Sequence, residues 1–274
     1  MKKKLPTIIL TIVFLVGLGL MLYPTVSDYW NSFHQSRAIA SYEESAAGLS
    51  EEEYQRYRSQ AEEYNQDLLS RPNPLVPTDE ELEEYNSLLD ITGNGIMGYI
   101  EIPKIKCSLP IYHTVDEAVL QIAIGHIPGS SLPVGGASTH CIVSGHRGLP
   151  SARLFTDLDQ MIEGDIFMLQ ILDETLTYEI DQIRIVEPQE VNDLAIVEGE
   201  DLVTMVTCTP LGINTHRMLV RGHRIENQAE AKVVRVTSEA IQIDPILVAP
   251  AAAAPMLLVL AVMVMTSDRR KRKP

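Results

Sequence analysis

Two apolar segments, one near each end of the chain, constrain this sequence more than any other feature. Residues 5–22 are almost wholly apolar, and no charged residue falls between Lys4 and Asp28. Residues 246–265 are also apolar and are followed by a basic run at 269–273. Segments of about 18–20 residues, rising roughly 1.5 Å per residue in a helix, match a hydrocarbon core about 30 Å thick. The sequence therefore predicts a membrane helix at each end, within residues 1–27 and 245–274.

Each segment has an alternative interpretation. The basic start and apolar run of the first segment also fit a cleaved signal peptide. The run is long for such a peptide, however, and no small-x-small cleavage site follows it, so we expect an uncleaved anchor. The alternative for the second segment is a buried core helix, which the adjoining basic run argues against. Pro250 and Pro255 interrupt this segment, and membrane helices tolerate such interruptions better than soluble helices do.

The basic flanks also set the orientation. Lysines and arginines at both ends favour the cytoplasm, so residues 28–244 are expected outside the membrane. Removing the eight basic flank residues and Asp268 from the totals of 22 Lys+Arg and 37 Asp+Glu leaves this segment near −22. A nucleic-acid-binding domain needs a basic face, so nucleic acid is excluded as a partner. The same charge argues against adhesion to anionic lipid headgroups.

Residues 28–92 are predicted to form an extracytoplasmic helical arm. Ser50 with Glu53, and Thr78 with Glu81, have the spacing of capping boxes, which begin helices. Between these two helices the prolines of residues 71–77 forbid helix and predict an extended linker.

Residues 93–226 change to a pattern of short strands. Several of these segments alternate apolar and polar residues, as half-buried strands do. Many strands with few helices favour a closed barrel, which leaves no exposed sheet edge. Residues 227–244 are predicted to be a polar tether to the second membrane helix. Strands are predicted at 97–102, 108–113, 140–144, 165–172, 174–186, 202–207 and 216–225, with short helices at 115–124 and 153–161.

The chain has three cysteines, an odd number that leaves at least one thiol unpaired outside the cell. Cys107 and Cys141 lie in apolar, strand-like runs and are interpreted as buried, inert thiols, with a disulfide between them as the alternative. Cys208 is left as the candidate nucleophile. No cysteine or histidine spacing suggests a metal site, and the sequence predicts neither a metal nor another cofactor.

The surroundings of Cys208 indicate how its thiol could be activated. It follows the apolar run 202–207 and is expected where a strand opens into a loop. A cysteine needs a partner that favours the thiolate, usually histidine or arginine. After the loop at 211–215 the chain returns through Arg217, and strands joined by a short loop are normally neighbours. Arg217 is therefore expected near Cys208, where it can stabilise a thiolate or a developing oxyanion.

Seven histidines compete for the role of general acid and base. His146 lies at a predicted strand end beside glycines, which let a substrate backbone approach closely. His140 precedes it in the same strand. Taken alone, any of these histidines is more often structural than catalytic, and spacing does not choose among them. The other five are His34 in the arm and His113, His126, His216 and His223 at strand or loop edges.

Two stretches together carry a family resemblance. Val206-Thr207-Cys208-Thr209-Pro210, with Arg217 nine residues after the cysteine and Ser144-Gly145-His146-Arg147 upstream, resembles the active-site motifs of sortases. The resemblance extends densely over residues 95–226 and includes the two-anchor layout. Its further motifs, which are similar to those of class C, the pilin-polymerising sortases, lie at 95–103, 109–113, 131–136, 148–152 and 212–217.

This resemblance implies a mainly β fold, a sortase-type eight-stranded β-barrel with short helices, preceded by the arm and flanked by the two membrane helices. It implies transpeptidation on Leu-Pro-x-Thr-Gly-like sorting signals, with pilin subunits as substrates and a pilin lysine as acceptor. Cys208 would attack the threonine carbonyl, His146 would exchange protons with the amines, and Arg217 would support the oxyanion. The enzyme would be double-anchored in membrane lipid, with its catalytic domain outside.

One feature departs from the class C pattern. Class C sortases commonly carry an Asp-Pro-aromatic lid before the barrel, whereas residues 65–98 hold no Asp-Pro pair and Tyr85 is their one aromatic. We therefore expect an open site without a lid, rather than one that another segment covers. Two other functions stay as alternatives: a sortase that anchors proteins to cell-wall peptide, and a non-catalytic scaffold for pilus assembly.

Overall fold

The computed structural model describes residues 5–227, with side chains from residue 8 onward. These residues fall in two compact units, of which the described parts are residues 5–30 and residues 31–227. The predicted tether and C-terminal membrane helix, from residue 228 to the end, lie outside the described residues.

The first helix, α1, spans Leu5–Ala47 and continues through Pro24. Within the described chain it is the one helix long and apolar enough to cross a membrane. Its apolar side chains face outward, with Leu10 69% and Leu20 72% exposed. Such a surface is costly in water and suits a bilayer, as the prediction of an N-terminal anchor requires.

Eight strands close into a barrel, as expected. The order around it is β1-β2-β3-β4-β7-β8-β6-β5. The pairs β2–β3 and β4–β7 are parallel, and the other pairs are antiparallel. The strands are β1 Ile96–Ile102, β2 Cys107–His113, β3 Ile124–His126, β4 Thr139–Ser144, β5 Ile166–Ile171, β6 Glu174–Val186, β7 Asp201–Thr209 and β8 His216–Ile225.

The predicted elements between the strands are partly wrong. The helix expected at 115–124 is reduced to α4, Glu117–Leu120, and the chain then forms β3. The helix expected at 153–161 is a series of turns with one 3₁₀ turn, Leu158–Gln160. Strand β3 was not predicted, since three residues are too few to show alternation. It forms because β2 and β4 pair with it on either side. Gly125 has no room for a side chain, because a Cβ there would lie 2.0 Å from the Thr114 carbonyl oxygen.

The barrel interior is filled by alternate residues of the strands. Phe167 and Tyr178 stack with ring centroids 5.5 Å apart, and both are fully buried. Gly222 lies beside this pair, and a Cβ there would come within 2.6 Å of the Phe167 ring. Fully burying a side chain of this size contributes about 1.5–3 kcal/mol. The rigid barrel is what holds the loops of the site in place.

The helical arm begins its two shorter helices at the predicted capping boxes. Helix α2 spans Glu51–Leu68 after Ser50, and α3 spans Asp79–Ser87 after Thr78. In each box the hydroxyl accepts from the third residue of the helix, whose glutamate accepts from the cap backbone in return. The sequence therefore located both helix starts correctly.

Buried polar contacts fasten the arm to the barrel. The Asn65 amide bonds both backbone groups of Leu132, donating to its carbonyl at 3.1 Å and accepting from its N–H at 2.7 Å. The Tyr85 hydroxyl lies 2.8 Å from His126 Nδ1. The buried apolar residues of α2 and α3 belong to the same core as the barrel interior. The linker between these helices is therefore held against the barrel at both ends.

Candidate active site

Strand pairing places Arg217 directly opposite Cys208. Strands β7 and β8 are antiparallel and joined by a short loop, and their register matches these two residues. Directly opposite residues of an antiparallel pair share one face of the sheet. Both side chains are partly exposed. The Arg217 guanidinium donates to the Asn214 and His216 carbonyls at 3.3 and 3.2 Å, which holds it at the loop. The expected neighbourhood of Cys208 and Arg217 is therefore confirmed.

His146 reaches the same level through the parallel pair β4–β7. The last paired residues are Ser144 and Val206, and the alignment continues beyond them. The Thr207 hydroxyl donates to the Gly145 carbonyl at 2.8 Å, and Arg147 Nη1 donates to the Thr209 hydroxyl at 3.4 Å.

Between these two bonds, His146 is level with Cys208. We call His146, Cys208 and Arg217, the three residues predicted to be catalytic, the catalytic row. Cys208 is the second-last residue of β7, which ends at Thr209, so it lies at the strand end where it was expected. The strand gives the thiol a rigid support.

Gly145, which precedes His146, is a close-packed position. A Cβ there would lie 2.7 Å from both the Ile124 and Phe155 side chains. Phe155 is fully buried, and its N–H donates to the His146 carbonyl at 3.1 Å. The glycine beside His146, chosen in the sequence for substrate access, therefore serves packing behind the site.

Three other histidines of the barrel, His113, His126 and His140, lie away from Cys208. His126 is fully buried, and burial lowers its pKa to about 4. The ring nitrogens of His113 lie 3.0 and 2.6 Å from the Gly95 and Leu88 carbonyls, at the junction of arm and barrel. His140 is bonded on both ring nitrogens, and burial lowers its pKa as well. The structure thus places His146 level with Cys208, which the spacing of histidines along the sequence could not show.

The two other cysteines do not form a disulfide: all three thiols of the chain are free. Burial raises the pKa of Cys107 to about 12, and it raises the pKa of Cys141 further. Thiols held protonated in this way are inert. The interpretation of Cys107 and Cys141 as structural is confirmed, and the disulfide alternative is excluded.

Two more groups of outward-facing side chains lie further along the barrel wall; their β7 and β8 members are about 7 and 14 Å from Cys208 and Arg217. The first, which we call the apolar row, is buried and comprises Ile142, Val186, Val206 and Leu219. The second, the polar row, comprises His140, Thr204, Arg221 and Asp181. An apolar floor beside a nucleophile suits the aliphatic part of an extended peptide.

The loop at 187–200 covers one side of the apolar row. Leu194 packs against the row, and the His140 Nδ1–H donates to the Ala195 carbonyl at 2.8 Å. Arg184 pairs with Asp193 at 2.8 Å. One buried histidine and one ion pair thus hold the loop at 187–200 beside the apolar row.

The linker at 71–77 packs against the apolar row, while Cys208 itself is partly exposed, and the expectation of an open site stays a prediction. Leu75 packs against the apolar row. The linker also passes so close to Gly129 that a Cβ at this position would lie 1.8 Å from the Pro74 carbonyl oxygen. Arg71 pairs with Glu81 at 3.3 Å and lies over the Tyr64 ring. The sequence lacks an aromatic lid, and an aliphatic side chain of the linker packs against the apolar row instead.

Sequence reasoning missed one charged neighbour of the row. Glu117 Oε2, on α4, lies 3.5 Å from His146 Nε2. No motif singled Glu117 out, since an exposed glutamate on a short helix is usually just solvated. Only the pairing of β3 with β4 brings α4 beside the strand that leads to His146.

Comparison with known proteins agrees with this geometry. A family model of the sortase domain matches residues 100–225. Sortase C1 from Streptococcus agalactiae is 51% identical with a TM-score of 0.67, covering 70% of this chain and 100% of that one. Sortase C-1 from Actinomyces oris is 44% identical with a TM-score of 0.59, covering 63% and 98%. The sortase C of Streptococcus pneumoniae is 40% identical with a TM-score of 0.64, covering 70% and 98%.

The match to curated sequences is shorter. Sortase D of Bacillus subtilis is 28% identical over 131 residues, which is 47% of this chain and 63% of that protein. Sortase A of Streptococcus agalactiae is 29% identical over 117 residues, 42% of this chain and 47% of that protein. The chain therefore spans about half to two thirds of these relatives.

The closed barrel and the cysteine, histidine and arginine row define a sortase, and the chain belongs to the sortase family, whose members are cysteine transpeptidases. The solved structures that it resembles at 40–51% identity are class C sortases.

Proposed function

We propose that this chain is a membrane-anchored cysteine transpeptidase that assembles covalent pili. It would cleave Leu-Pro-x-Thr-Gly-like sorting signals between threonine and glycine and join the acyl group to a lysine of another pilin subunit. The observation that carries the proposal is the catalytic row, in which Arg217 on β8 faces Cys208, and His146, just after the end of β4, is level with Cys208. The similar sortase C of Streptococcus pneumoniae has pilins as substrates.

In the first half-reaction the Cys208 thiolate attacks the threonine carbonyl carbon. The carbonyl oxygen becomes an oxyanion beside Arg217, which stabilises it by charge and hydrogen bonding. The carbon–nitrogen bond to glycine then breaks, and His146 gives its proton to the departing amine. The product is a thioester between Cys208 and the pilin.

In the second half-reaction a lysine ε-amine attacks the thioester. His146 accepts the proton that this amine loses, the carbon–sulfur bond breaks, and Cys208 leaves as the thiolate. An isopeptide bond joins the two pilins. The apolar row offers a floor for the leucine and proline of the signal, once Leu75 has moved from it.

The surroundings agree with this role. The helix that begins at Leu5 is apolar enough to anchor the enzyme, and residues 28–244 carry a net charge near −22, which attracts a lysine-bearing partner. We also propose that the segment at 245–274 anchors the enzyme as a second membrane helix.

One experiment tests the proposal against its alternatives. The full chain in detergent micelles is incubated with two pilins, and the products are mapped by mass spectrometry. We expect Thr–Lys isopeptide bonds between pilins, and none with Cys208→Ala. Products joined only to cell-wall peptide amines would identify an anchoring sortase instead. Assembly that persists with Cys208→Ala in a strain lacking other sortases would identify a scaffold.

A further inference from the structure

His146 has an unusual ring environment for a general base. Its Nε2 is shielded from solvent and has no hydrogen-bond partner among residues 5–227. Buried polar atoms in native proteins are rarely left in this condition. Glu117 Oε2, at 3.5 Å, lies just beyond hydrogen-bond distance from this nitrogen. A proton on Nε2 would therefore point toward the Glu117 carboxylate.

The Glu117 carboxylate is itself held in place. The Gln121 amide, one turn later on α4, donates a hydrogen bond to Oε1, and this leaves Oε2 on the side of His146. Residues four apart are neighbours on a helix face, so the contact needs no other element. The hydrogen bond from Gln121, and to a lesser extent the nearby His146, lowers the pKa of Glu117. Glu117 is therefore ionised at neutral pH.

We propose that Glu117 is a positioning residue for His146, orienting its imidazole through Nε2 so that Nδ1 exchanges protons with the reacting groups. The inference rests on the proposed function, because it takes His146 as the acid and base of the reaction. It adds a third member, a carboxylate, to the cysteine and histidine pair.

The assignment fixes where each proton goes. With Nε2–H directed to Glu117, the imidazolium holds its second proton on Nδ1. That proton passes to the glycine amine as the carbon–nitrogen bond breaks, leaving the neutral ring protonated at Nε2. In the second half-reaction Nδ1 takes a proton from the attacking lysine and the imidazolium forms again. Glu117 stabilises that cation and keeps its own charge throughout.

The other charges around His146 do not substitute for Glu117. Cys208 and Arg217 face it from β7 and β8, and Arg147 beside it forms an ion pair with Asp159. Within the described chain Glu117 is the one carboxylate at ion-pair distance from the ring. Its side chain is 71% exposed, so solvent and salt screen the interaction. The expected contribution is modest and depends on salt.

Asp116 provides a matched control. It precedes Glu117, is exposed, and makes no side-chain cap to α4. Glu117→Gln and Asp116→Asn change the net charge equally, but only the first removes the carboxylate beside His146. We expect Glu117→Gln to lower kcat for sorting-peptide cleavage roughly fivefold at low salt, the scale of an exposed ion pair. Asp116→Asn should keep the wild-type rate.

Three readouts separate positioning from a merely structural effect. The pH–rate profile of Glu117→Gln should differ from that of the wild type, whereas the profile of Asp116→Asn should not. The difference between this variant and the wild type should shrink at 1 M salt, where the screening length is about 3 Å. Nitrogen NMR of labelled histidine should show the neutral His146 ring protonated at Nε2 in the wild type and as mixed tautomers in Glu117→Ala.

The outcomes divide cleanly. If Glu117→Gln matches Asp116→Asn in rate, pH profile and salt response, the inference is overturned. If His146→Ala keeps full activity, the proposed function loses its general base, and that is a separate failure. A His146→Ala variant without activity, together with an unaffected Glu117→Gln, overturns the positioning role alone.

Discussion

Two histidines, His140 within strand β4 and His146 two residues after its end, have opposite surroundings. His140 is buried, donates from Nδ1 to the Ala195 carbonyl at 2.8 Å and shares a 2.7 Å bond between Nε2 and the Thr204 hydroxyl. The His146 side chain is 28% exposed, and its Nε2 has no hydrogen-bond partner in the described chain. A ring with both nitrogens engaged is fixed as a structural clip. A ring with incomplete bonding keeps a proton that it can exchange.

The largest expected effect is the loss of activity on replacing His146, the histidine whose ring is incompletely hydrogen-bonded. His146→Ala should lower kcat by about 10²–10⁴-fold, the usual contribution of a general acid and base. The melting temperature should change little, because the ring is partly exposed. Peptide cleavage and thermal unfolding measure the two quantities, and His223→Ala on β8 serves as the control that keeps its rate. Equal rates for the two variants would contradict the assignment.

The second prediction concerns His126, another ring with both nitrogens engaged. Its pKa of about 4 in the folded protein lies below the ordinary 6.5, so the unfolded chain binds the proton more readily. Stability from this group is therefore complete above pH 6.5 and is lost as the pH falls toward 4. The loss should approach about 3 kcal/mol.

Urea unfolding followed by circular dichroism at pH 6.5 and pH 4.5 measures this loss. Other groups also titrate in that range, so the comparison is with His126→Gln, whose stability should fall less steeply with acid. Identical slopes for the two proteins would show that His126 is already protonated when folded.

The third prediction concerns the two hydrogen bonds of the His140 ring. His140→Ala leaves the Ala195 carbonyl and the Thr204 hydroxyl unpaired and should cost about 1–3 kcal/mol of stability. Because the loop at 187–200 loses its anchor, the KM for the sorting peptide should rise more than kcat falls. His140→Gln, which keeps a donor and an acceptor, should recover part of both. A fall in kcat alone would place His140 in the chemistry instead.

The smallest expected effect concerns the covered floor beside Cys208. Leu75→Ala removes the side chain that packs on the apolar row, so labelling of Cys208 by a thiol reagent should become several-fold faster. Val76→Ala is the matched control, because Val76 is 77% exposed. Equal labelling rates for Leu75→Ala and the wild type would show that the linker leaves the thiol accessible.

Features with local causes could be predicted from the sequence. The capping boxes at Ser50 and Thr78 depend on residues three apart, and the hairpin that brings Arg217 to Cys208 depends on one short loop. Strand β3 was missed because its three residues carry no period and form a strand only between β2 and β4. The packing of Leu75 on the apolar row was not predicted, because an aliphatic residue in a proline-rich linker carries no motif.

By itself the sequence determined the apolar N-terminal helix, the change from arm to barrel, and the chemistry that Cys208 and Arg217 can perform. These follow from composition, periodicity and neighbouring residues, which act over short distances along the chain. The tertiary structure decided which histidine stands beside the thiol, because the parallel pairing of β4 with β7 joins residues 62 positions apart. It also decided that Glu117 and Leu75 belong to the site, since each arrives on an element that packs there only after the barrel has closed.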